Sequence, residues 1–291
     1  MLFSEANGLK DRNDKISSNA MADHHVTSGK DPLIAHLNDL SSPAGRRSRG
    51  QFLAESTLLV QRALEDQLPI DCILYTSDLL KTEGGQAMLA QARSRGIRCA
   101  TASGGLLAKV TSSRPVPEVC AIVGIAYPEA TVNPECRLIL IAENINNPDN
   151  LGMILRTADA GGADIAVIAG ADPLHKNCVR AARGAVGRMP MAYTADLAGY
   201  VAQLKQNGWI VLGTALDADS GLYELELPEG SRVAVIVGNE NSGVTRPVLD
   251  ACTWRILIPM AHGQDSLNVG VSAGVMLYEL YRCGVGGRIG R

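Results

Sequence analysis

Three polar clusters in the second half of the chain carry the side chains that could do chemistry. The first, Asn-Asn-Pro-Asp-Asn-Leu-Gly at residues 146–152, holds Asn150 and is followed six residues later by Arg156. An Asn/Pro/Gly-rich turn that runs into a helix leaves backbone N–H groups free at the helix start, where they bind polar or anionic groups. The cluster therefore offers amide donors and one fixed positive charge, although a capped helix with a surface arginine would look the same.

The second cluster, Gly-Asn-Glu-Asn-Ser-Gly at residues 238–243, follows a run of valine and isoleucine directly. Gly238 would let a ligand approach the backbone closely, because glycine has no side chain to obstruct it. Glu240, just beyond a buried strand, could orient a partner or accept a hydrogen bond. A polar turn with a capping acid is the alternative interpretation.

The third cluster occupies residues 258–269 and leads into a helix rich in glycine, alanine and valine. Ser266 and Asn268 could be simple helix N-caps or polar groups of a site. His262 is an acid–base candidate by residue type, but a lone histidine in a loop is more often exposed to solvent. The cluster adds hydroxyl and amide groups to those of the first two.

Other common active-site patterns are absent from the sequence. The P-loop, the glycine-rich dinucleotide fingerprint after a strand and the serine nucleophile elbow all lack a match. These absences argue against an ordinary NTPase or dehydrogenase. Seven cysteines are present without a Cys-x-x-Cys pair, which excludes a familiar zinc spacing and a disulfide framework and fits a reducing, cytoplasmic environment.

The elements that must position these clusters alternate along residues 137–291. Continuous apolar runs predict strands covered on both faces, and strand–helix alternation predicts a parallel sheet that binds ligands at the strand carboxyl ends. The predicted strands are 138–142, 165–169, 210–214, 233–237 and 255–258. The predicted helices are 151–160, 176–182, 197–206 and 245–251.

The first half predicts a separate, smaller unit. Residues 1–40 are polar and without periodicity, which indicates a flexible tail. Residues 41–126 predict a small α/β domain, and residues 127–136, with two prolines, predict the linker to the second domain. The fold class is therefore α/β with two domains.

Charge distinguishes the two halves more than the whole chain does. The net charge is −3, yet residues 41–126 hold ten Lys and Arg against seven Asp and Glu, a net of +3. A solvated basic face is the simplest interpretation of that excess. Aromatic residues make up only 4% of the chain, so a site built mainly on base stacking would be sparse. The apolar runs are too short for membrane spans, and no signal peptide is recognisable.

Together the three clusters resemble the conserved motifs of the SpoU/TrmH family of RNA ribose methyltransferases. The match is N-x-x-x-N-x-G-x-x-x-R-T-A, then G-N-E-x-x-G, then I-P-M with S-L-N-V behind it, over residues 137–283. A weaker match begins at residue 46 and resembles the small substrate-binding domain of many members. Asn241 and Gly270 depart from the family pattern, in which small and Ser-like residues are usual at these two positions.

The resemblance implies a deep trefoil knot in the C-terminal domain, a homodimer, and S-adenosylmethionine as cofactor without a metal. It implies a catalytic set of Asn150, Arg156, Glu240, Ser266 and Asn268. It implies cofactor contacts from Thr214, Gly238, Asn239, Ile258, Met260 and Leu267. RNA contacts are expected from Arg46, Arg47, Arg49, Lys109 and Arg114.

The implied reaction is attack of a ribose 2′-hydroxyl on the activated methyl group, in ribosomal RNA more than in transfer RNA. Arg156 is often named as the base in this family, yet a guanidinium keeps its proton in proteins. We therefore expect Arg156 to stabilise the forming alkoxide. The alternatives are a non-catalytic RNA-binding relative, a small-molecule or protein methyltransferase of the same fold, and an unrelated α/β enzyme.

Overall fold

The computed structural model describes residues 23–261 and 266–286, which form two sheets with helices around them. The first sheet has the strand order β1-β4-β3-β5-β2 and is parallel except for β5, which runs antiparallel to both of its neighbours. Its strands are β1 (His24–Val26), β2 (Gln51–Glu55), β3 (Ile70–Tyr75), β4 (Arg98–Ala102) and β5 (Val119–Gly124).

Five helices accompany the first sheet, and side chains cap each of them at the start. They are α1 (Pro32–Asp39), α2 (Pro43–Arg49), α3 (Thr57–Glu65), α4 (Glu83–Ser94) and α5 (Gly104–Val110), with a 3₁₀ turn at Ser77–Lys81. The caps are aspartate, serine or threonine oxygens that accept from free N–H groups of the first turn.

Residues 24–40 belong to this first sheet, and the expectation of a tail up to residue 40 is wrong for them. Strand β1 pairs in parallel with β4, and helix α1 buries Ile34 and Leu37 in the core above it. A three-residue strand and an eight-residue helix are too short to produce a detectable period, so only their tertiary contacts reveal them. Residues 1–22 of the predicted tail lie outside the described residues.

The second sheet is fully parallel, with the order β10-β12-β9-β11-β6-β7-β8. Its strands are β6 (Leu138–Glu143), β7 (Ile165–Ala169), β8 (Met191–Tyr193), β9 (Ile210–Thr214), β10 (Ser220–Gly221), β11 (Val233–Val237) and β12 (Trp254–Leu257). Every residue of β6 and β11 is buried, which confirms the prediction of strands covered on both faces. The sequence did not predict the short strands β8 and β10.

Six helices cover the second sheet, and four of them agree with the predicted helices to within three residues. They are α6 (Pro148–Ala160), α7 (Lys176–Ala182), α8 (Ala185–Arg188), α9 (Leu197–Gln206), α10 (Arg246–Ala251) and α11 (Val269–Arg282), with a 3₁₀ turn at Leu222–Glu224. The α/β architecture with a parallel C-terminal sheet is therefore as predicted.

Helix α11 returns from the β12 side of the sheet to pack against β11, α6 and the turn at 222–224. Small residues allow the close approach: a Cβ atom added at Gly270 would lie 3.1 Å from the Cβ atom of Met153. Gly270, which departs from the family pattern, is thus a packing position. The return path agrees with a knotted chain, but the trefoil knot itself stays a prediction.

The two sheets share a junction that is apolar and also salt-bridged. Arg46 of α2 is 3% exposed, and its guanidinium donates to Asp172 Oδ2 after β7 at 2.5 and 3.0 Å. The same guanidinium donates to the carbonyl oxygens of Leu40 and Ser41, both at 2.8 Å. Arg46 therefore joins the two units, with four of its five N–H donors used and almost no exposed surface left for RNA, which corrects its assignment as an RNA contact.

The expected linker between the two units is tied to the second sheet. Ala130 donates its N–H to the Tyr193 carbonyl at 2.7 Å, and Tyr193 donates to the Pro128 carbonyl at 2.9 Å.

Within the described residues, no helix has the length and apolarity that a membrane span requires. Nor do residues 23–261 and 266–286 bring together three His, Cys, Asp or Glu side chains in a cluster fit for a metal ion.

Candidate active site

The three polar clusters follow β6, β11 and β12, which lie in one parallel sheet. The carboxyl ends of parallel strands meet at the same edge, so the clusters come together there. At this edge the side chains of Asn150, Glu240 and Asn268 form a continuous hydrogen-bonded chain.

Glu240 holds the beginning of α6. Its Oε2 accepts the backbone N–H of Asn146 at 3.1 Å, and its Oε1 accepts the N–H of Asn147 at 3.1 Å. The Asn150 side-chain amide donates to the same Oε1 at 2.9 Å. One carboxylate therefore fixes both the turn before the helix and the amide in its first turn.

These hydrogen bonds determine the charge state of Glu240. Partial burial by itself would raise the pKa of this carboxyl group. The hydrogen bonds from the Asn150 side chain and from backbone N–H groups, including those of Asn147 and Asn146, outweigh that effect and lower the pKa below 4.5. Glu240 is thus ionised at neutral pH and occupied by donors, which suits a positioning group and not a proton acceptor.

Asn268 extends this chain from α11 to α6. Its Nδ2 donates to Asn150 Oδ1 at 2.9 Å, while its own Oδ1 accepts the N–H groups of Gly270 and Val271 at 2.9 and 3.4 Å. Asn268 is therefore the N-cap of α11 and also an anchor for Asn150. In both Asn150 and Asn268, the side-chain nitrogen donates a hydrogen bond and the side-chain oxygen accepts one, which fixes the orientation of each amide.

The loop after β11 folds back on itself at Gly238. A Cβ atom added there would lie 2.2 Å from the Gly243 carbonyl carbon and the Val244 nitrogen. Asn239 and Gly243 exchange two backbone hydrogen bonds, and the Asn239 side chain donates to the Asn144 carbonyl at 2.7 Å. The missing side chain of Gly238 therefore makes room for the backbone of its own loop, at Gly243 and Val244.

A cleft of about 470 Å³ opens beside this loop, between the ends of β9, β11 and β12. It is lined by all six residues expected to contact the cofactor: Thr214, Gly238, Asn239, Ile258, Met260 and Leu267. Ser266 and Glu240 border the same cleft, whereas Asn150 and Asn268 adjoin it through their bonds to Glu240. Val237, Ile256 and Val269 contribute its apolar walls.

The charged residues among the described lining of this cleft are both acidic, Asp217 and Glu240. Asp217 is held at the rim by Arg246 and Arg255, whose Nη1 atoms lie 3.1 and 3.2 Å from its Oδ2. The sequence analysis did not single out Asp217, because an aspartate in an Ala-Leu-Asp-Ala-Asp loop is typical of any surface turn. The other residues of the described lining are uncharged.

Arg156 lies two turns along α6, on its exposed face, and does not line the cleft. A Cβ atom added at Gly152, one turn earlier, would lie 2.4 Å from the Cys178 carbonyl oxygen of α7, while Met153 and Thr157 face α11. Because successive residues of a helix are rotated by 100°, the Arg156 side chain projects between the side of α6 that contacts α7 and the side that contacts α11. Within the part of the chain that the structure describes, its guanidinium makes no hydrogen bond or ion pair. His262 lies outside the described residues.

Four of the five expected RNA contacts are on the surface. Arg47, Arg49, Lys109 and Arg114 are exposed, whereas Arg46 is buried at the junction as described above. Arg49 pairs with Asp39 at 2.5 Å, and the Arg114 Nη1 donates to the Ser113 carbonyl at 2.9 Å. The surface location of these four is compatible with RNA contact.

The residues of this site lie within a region that is similar to known proteins. A family model described as the SpoU rRNA methylase family matches residues 137–278, a span that contains all three polar clusters. The 23S rRNA (guanosine(2553)-2'-O)-methyltransferase RlmP of Bacillus subtilis is 29% identical over 257 residues, covering 88% of this chain and 98% of the relative. An uncharacterised tRNA/rRNA methyltransferase of Synechocystis is 29% identical over 259 residues, covering 88% of this chain and 93% of the relative.

Solved structures show the same architecture. The crystal structure of an AdoMet-bound rRNA methyltransferase from Sinorhizobium meliloti superposes with a TM-score of 0.75 at 27% identity. The match covers 89% of this chain and 97% of that one. The similarity therefore includes the first sheet as well as the second.

Proposed function

We propose that the chain is a member of the SpoU rRNA methylase family, whose model matches residues 137–278, and that it transfers the methyl group of S-adenosylmethionine to a ribose 2′-hydroxyl of RNA. The observation that carries the proposal is the cleft at the ends of β9, β11 and β12, bordered by the chain Asn268–Asn150–Glu240. It joins a ligand cavity to ordered amide groups at one edge of the sheet.

The residues of the cleft fit S-adenosylmethionine. Its volume of about 470 Å³ is that of a small-molecule site with apolar walls and a few polar groups. The cofactor carries a sulfonium cation, and the two charged residues among the described lining are carboxylates. When bound, it supplies a methyl group on a good leaving group, so no metal is required for activation.

The protein residues then align the acceptor and stabilise charge. Asn150 is held by Glu240 on one side and Asn268 on the other, so its position is fixed before RNA binds. Ser266, at the border of the cleft, is placed to contact cofactor or ribose. Arg156 supplies a permanent positive charge for the forming alkoxide or the neighbouring phosphate. Glu240 acts on the reaction only through Asn150 and the α6 turn.

Ribosomal RNA is the substrate class that we propose. The Bacillus subtilis relative, similar over nearly its whole length, is named for methylation of 23S rRNA, and the S. meliloti structure is that of an rRNA methyltransferase. We place RNA contacts in the first unit, at Arg47, Arg49, Lys109 and Arg114. Phosphate contacts of this kind weaken steeply as salt increases.

We also propose a homodimer. The surface shared by α6 and α11 exposes several large apolar side chains that a monomer would leave in water. They are Met153 (40% exposed), Val271 (46%), Tyr278 (51%) and Tyr281 (41%). Arg156 projects from α6 beside this surface, so a second copy packed there would bring Arg156 to the interface.

The variant Arg156→Ala tests the proposed reaction. We expect methyl transfer to bulk rRNA to fall by at least about 100-fold, because the loss of one positioned donor for developing charge has an effect of that size. S-adenosylmethionine affinity measured by calorimetry should stay within about twofold, since Arg156 does not line the cleft. Mapping of 2′-O-methyl sites in RNA from a deletion strain identifies the substrate.

A matched control for this variant is Arg137→Ala. Arg137 is exposed at the amino end of β6, the opposite edge of the sheet, and should leave activity unchanged. Near-normal turnover of Arg156→Ala would refute the role of this residue. Absence of both cofactor binding and methyl transfer in the unmodified protein would refute the proposed function, and a site found in tRNA would refute only the rRNA proposal.

A further inference from the structure

Tyr193 presents a rigid aromatic ring to solvent at the carboxyl end of β8. It is 42% exposed, and its ring packs edge-on against Tyr127, with centroids 5.7 Å apart and planes at 60°. Hydrogen bonds to Pro128 and Ala130 fix its backbone on both sides. The chain has only two Phe, two Trp and seven Tyr, so a supported and exposed aromatic pair is a scarce feature here.

The pair is not explained by hydrogen bonding within the protein. The Tyr127 hydroxyl is buried and has no hydrogen-bond partner in the part of the chain that the structure describes. The contact of Tyr127 with Tyr193 is therefore made by its ring, which packs edge-on against the Tyr193 ring. An edge-on neighbour of this kind holds the exposed ring in one orientation and leaves its outer face available.

Tyr193 lies on the same edge of the second sheet as the candidate active site. Strands β11, β6, β7 and β8 are consecutive in the sheet, so three strand spacings of about 4.8 Å separate the end of β8 from that of β11. The end of β8, where Tyr193 stands, is thus about 14 Å from the end of β11, which the Glu240 loop follows. A few nucleotides of single-stranded RNA span this distance.

We propose that Tyr193 is a stacking platform for a nucleobase of the substrate RNA, a few nucleotides from the methylated ribose. The proposal rests on the proposed function as an RNA methyltransferase and adds a base contact to it. Proteins that bind single-stranded RNA stack unpaired bases on such rings, and the interaction tolerates any base because each has a π face. The RNA segment at this edge is therefore unpaired.

The variants Tyr193→Ala and Tyr193→Phe test the proposal with a fluorescein-labelled oligoadenylate as the probe. We expect the dissociation constant from fluorescence anisotropy to rise about 10-fold for Tyr193→Ala, the effect typical of one lost stacking partner. Tyr193→Phe keeps the ring and should bind within about twofold of the unmodified protein. Calorimetry should give the same S-adenosylmethionine affinity for all three proteins.

The control is Tyr223→Ala, which removes another exposed tyrosine (61% exposed) from the turn at 222–224 and should not change RNA binding. A second measurement uses the unmodified protein: RNA containing 5-iodouridine should crosslink to Tyr193 under ultraviolet light. Unchanged RNA affinity in Tyr193→Ala, equal losses in the Ala and Phe variants, or crosslinks elsewhere would overturn the proposal. None of these outcomes affects cofactor binding, so they differ from failure of the proposed function.

Discussion

At the residue scale, the side chains of Glu240, Asn150 and Asn268 form one chain of hydrogen bonds between α11 and the beginning of α6. Each link is 2.9 Å long, and Asn268 also caps α11. A chain of this kind orders a site before its substrate arrives, because no side chain needs to reorient. Asn150, for which we propose a catalytic role, therefore lies at a position set by two other residues.

The substitution Glu240→Gln should damage this order. The amide presents an N–H₂ group to donors that need an acceptor, so we expect the free energy of unfolding at neutral pH to fall by about 2 kcal/mol. Methyl transfer should fall with it, while cofactor affinity changes less, because Glu240 only borders the cleft. Chemical denaturation and a methyl-transfer assay measure the two effects.

The stability difference between Glu240→Gln and the unmodified protein should depend on pH. The pKa of Glu240 in the folded state lies below 4.5, so the carboxylate stabilises the fold above about pH 4.5, and this contribution is lost as the pH falls through the lower folded value. The two proteins should therefore converge in stability below pH 4.5. A difference that grows in acid would contradict the hydrogen bonding described for this carboxylate.

At the scale of elements, glycines set how closely α6 approaches its neighbours. A Cβ atom at Gly152 would lie 2.4 Å from the Cys178 carbonyl oxygen and 3.0 Å from the Ala182 nitrogen, both backbone atoms of the α7 segment. A Cβ atom at Gly274 of α11 would lie 3.4 Å from the Thr157 Cγ2 atom, an ordinary contact. The two glycines of this helix cluster are therefore not equivalent.

Gly152→Ala should destabilise the protein, and Gly274→Ala should not. Backbone atoms of α7 cannot yield locally, so we expect Gly152→Ala to cost about 1–2 kcal/mol after its gain in helix propensity. Gly274→Ala introduces no clash and reduces the backbone entropy that is lost on folding. It should therefore be neutral or stabilising by up to about 1 kcal/mol. Thermal denaturation of the pair decides this, and equal effects would show that α6 and α7 are not in close contact.

At the scale of the whole molecule, the junction between the sheets fixes the first unit against the second. The Arg46–Asp172 pair and an apolar contact between Leu68 and Gly187 both cross it, as does the Arg188–Asp66 pair at 3.2 Å. Asp172 follows β7, next to the β6 end where Asn150 lies. The exposed arginines of the first unit are thus held at a defined distance from the candidate active site.

The apolar surface of α6 and α11 predicts the state of the molecule in solution. Light scattering should give a molar mass of about twice the 30.7 kDa of one chain. Val271→Asp should reduce it to that of one chain, because a carboxylate cannot be buried unpaired in an apolar interface. Leu80→Asp, at an exposed leucine of the first unit, is the control and should leave the mass unchanged. A monomeric unmodified protein at micromolar concentration would contradict the homodimer.

The sequence by itself determined five of the seven strands described in the second sheet and the residue types of its site. Buried strands such as β7 and β11 are continuous runs of apolar residues, and local composition is enough to place them. The sequence also placed polar clusters after those strands and predicted that ligands bind at the strand carboxyl ends, the edge at which Asn150, Glu240 and Asn268 meet. The six residues expected to contact the cofactor came from the resemblance to the SpoU/TrmH family, and all six line the cleft.

Only the tertiary structure decided which partners these residues have. The sequence could not show that Arg46 is buried in an ion pair with Asp172, because the two residues lie 126 positions apart. A cluster of arginines has the same sequence pattern whether it lies on the surface or at a junction between two units. It could not reveal β1, β8 or the Tyr127–Tyr193 pair, since short elements acquire stability from contacts distant in the chain. Glu240 became a positioning group for the same reason: its donors come from a loop more than ninety residues earlier.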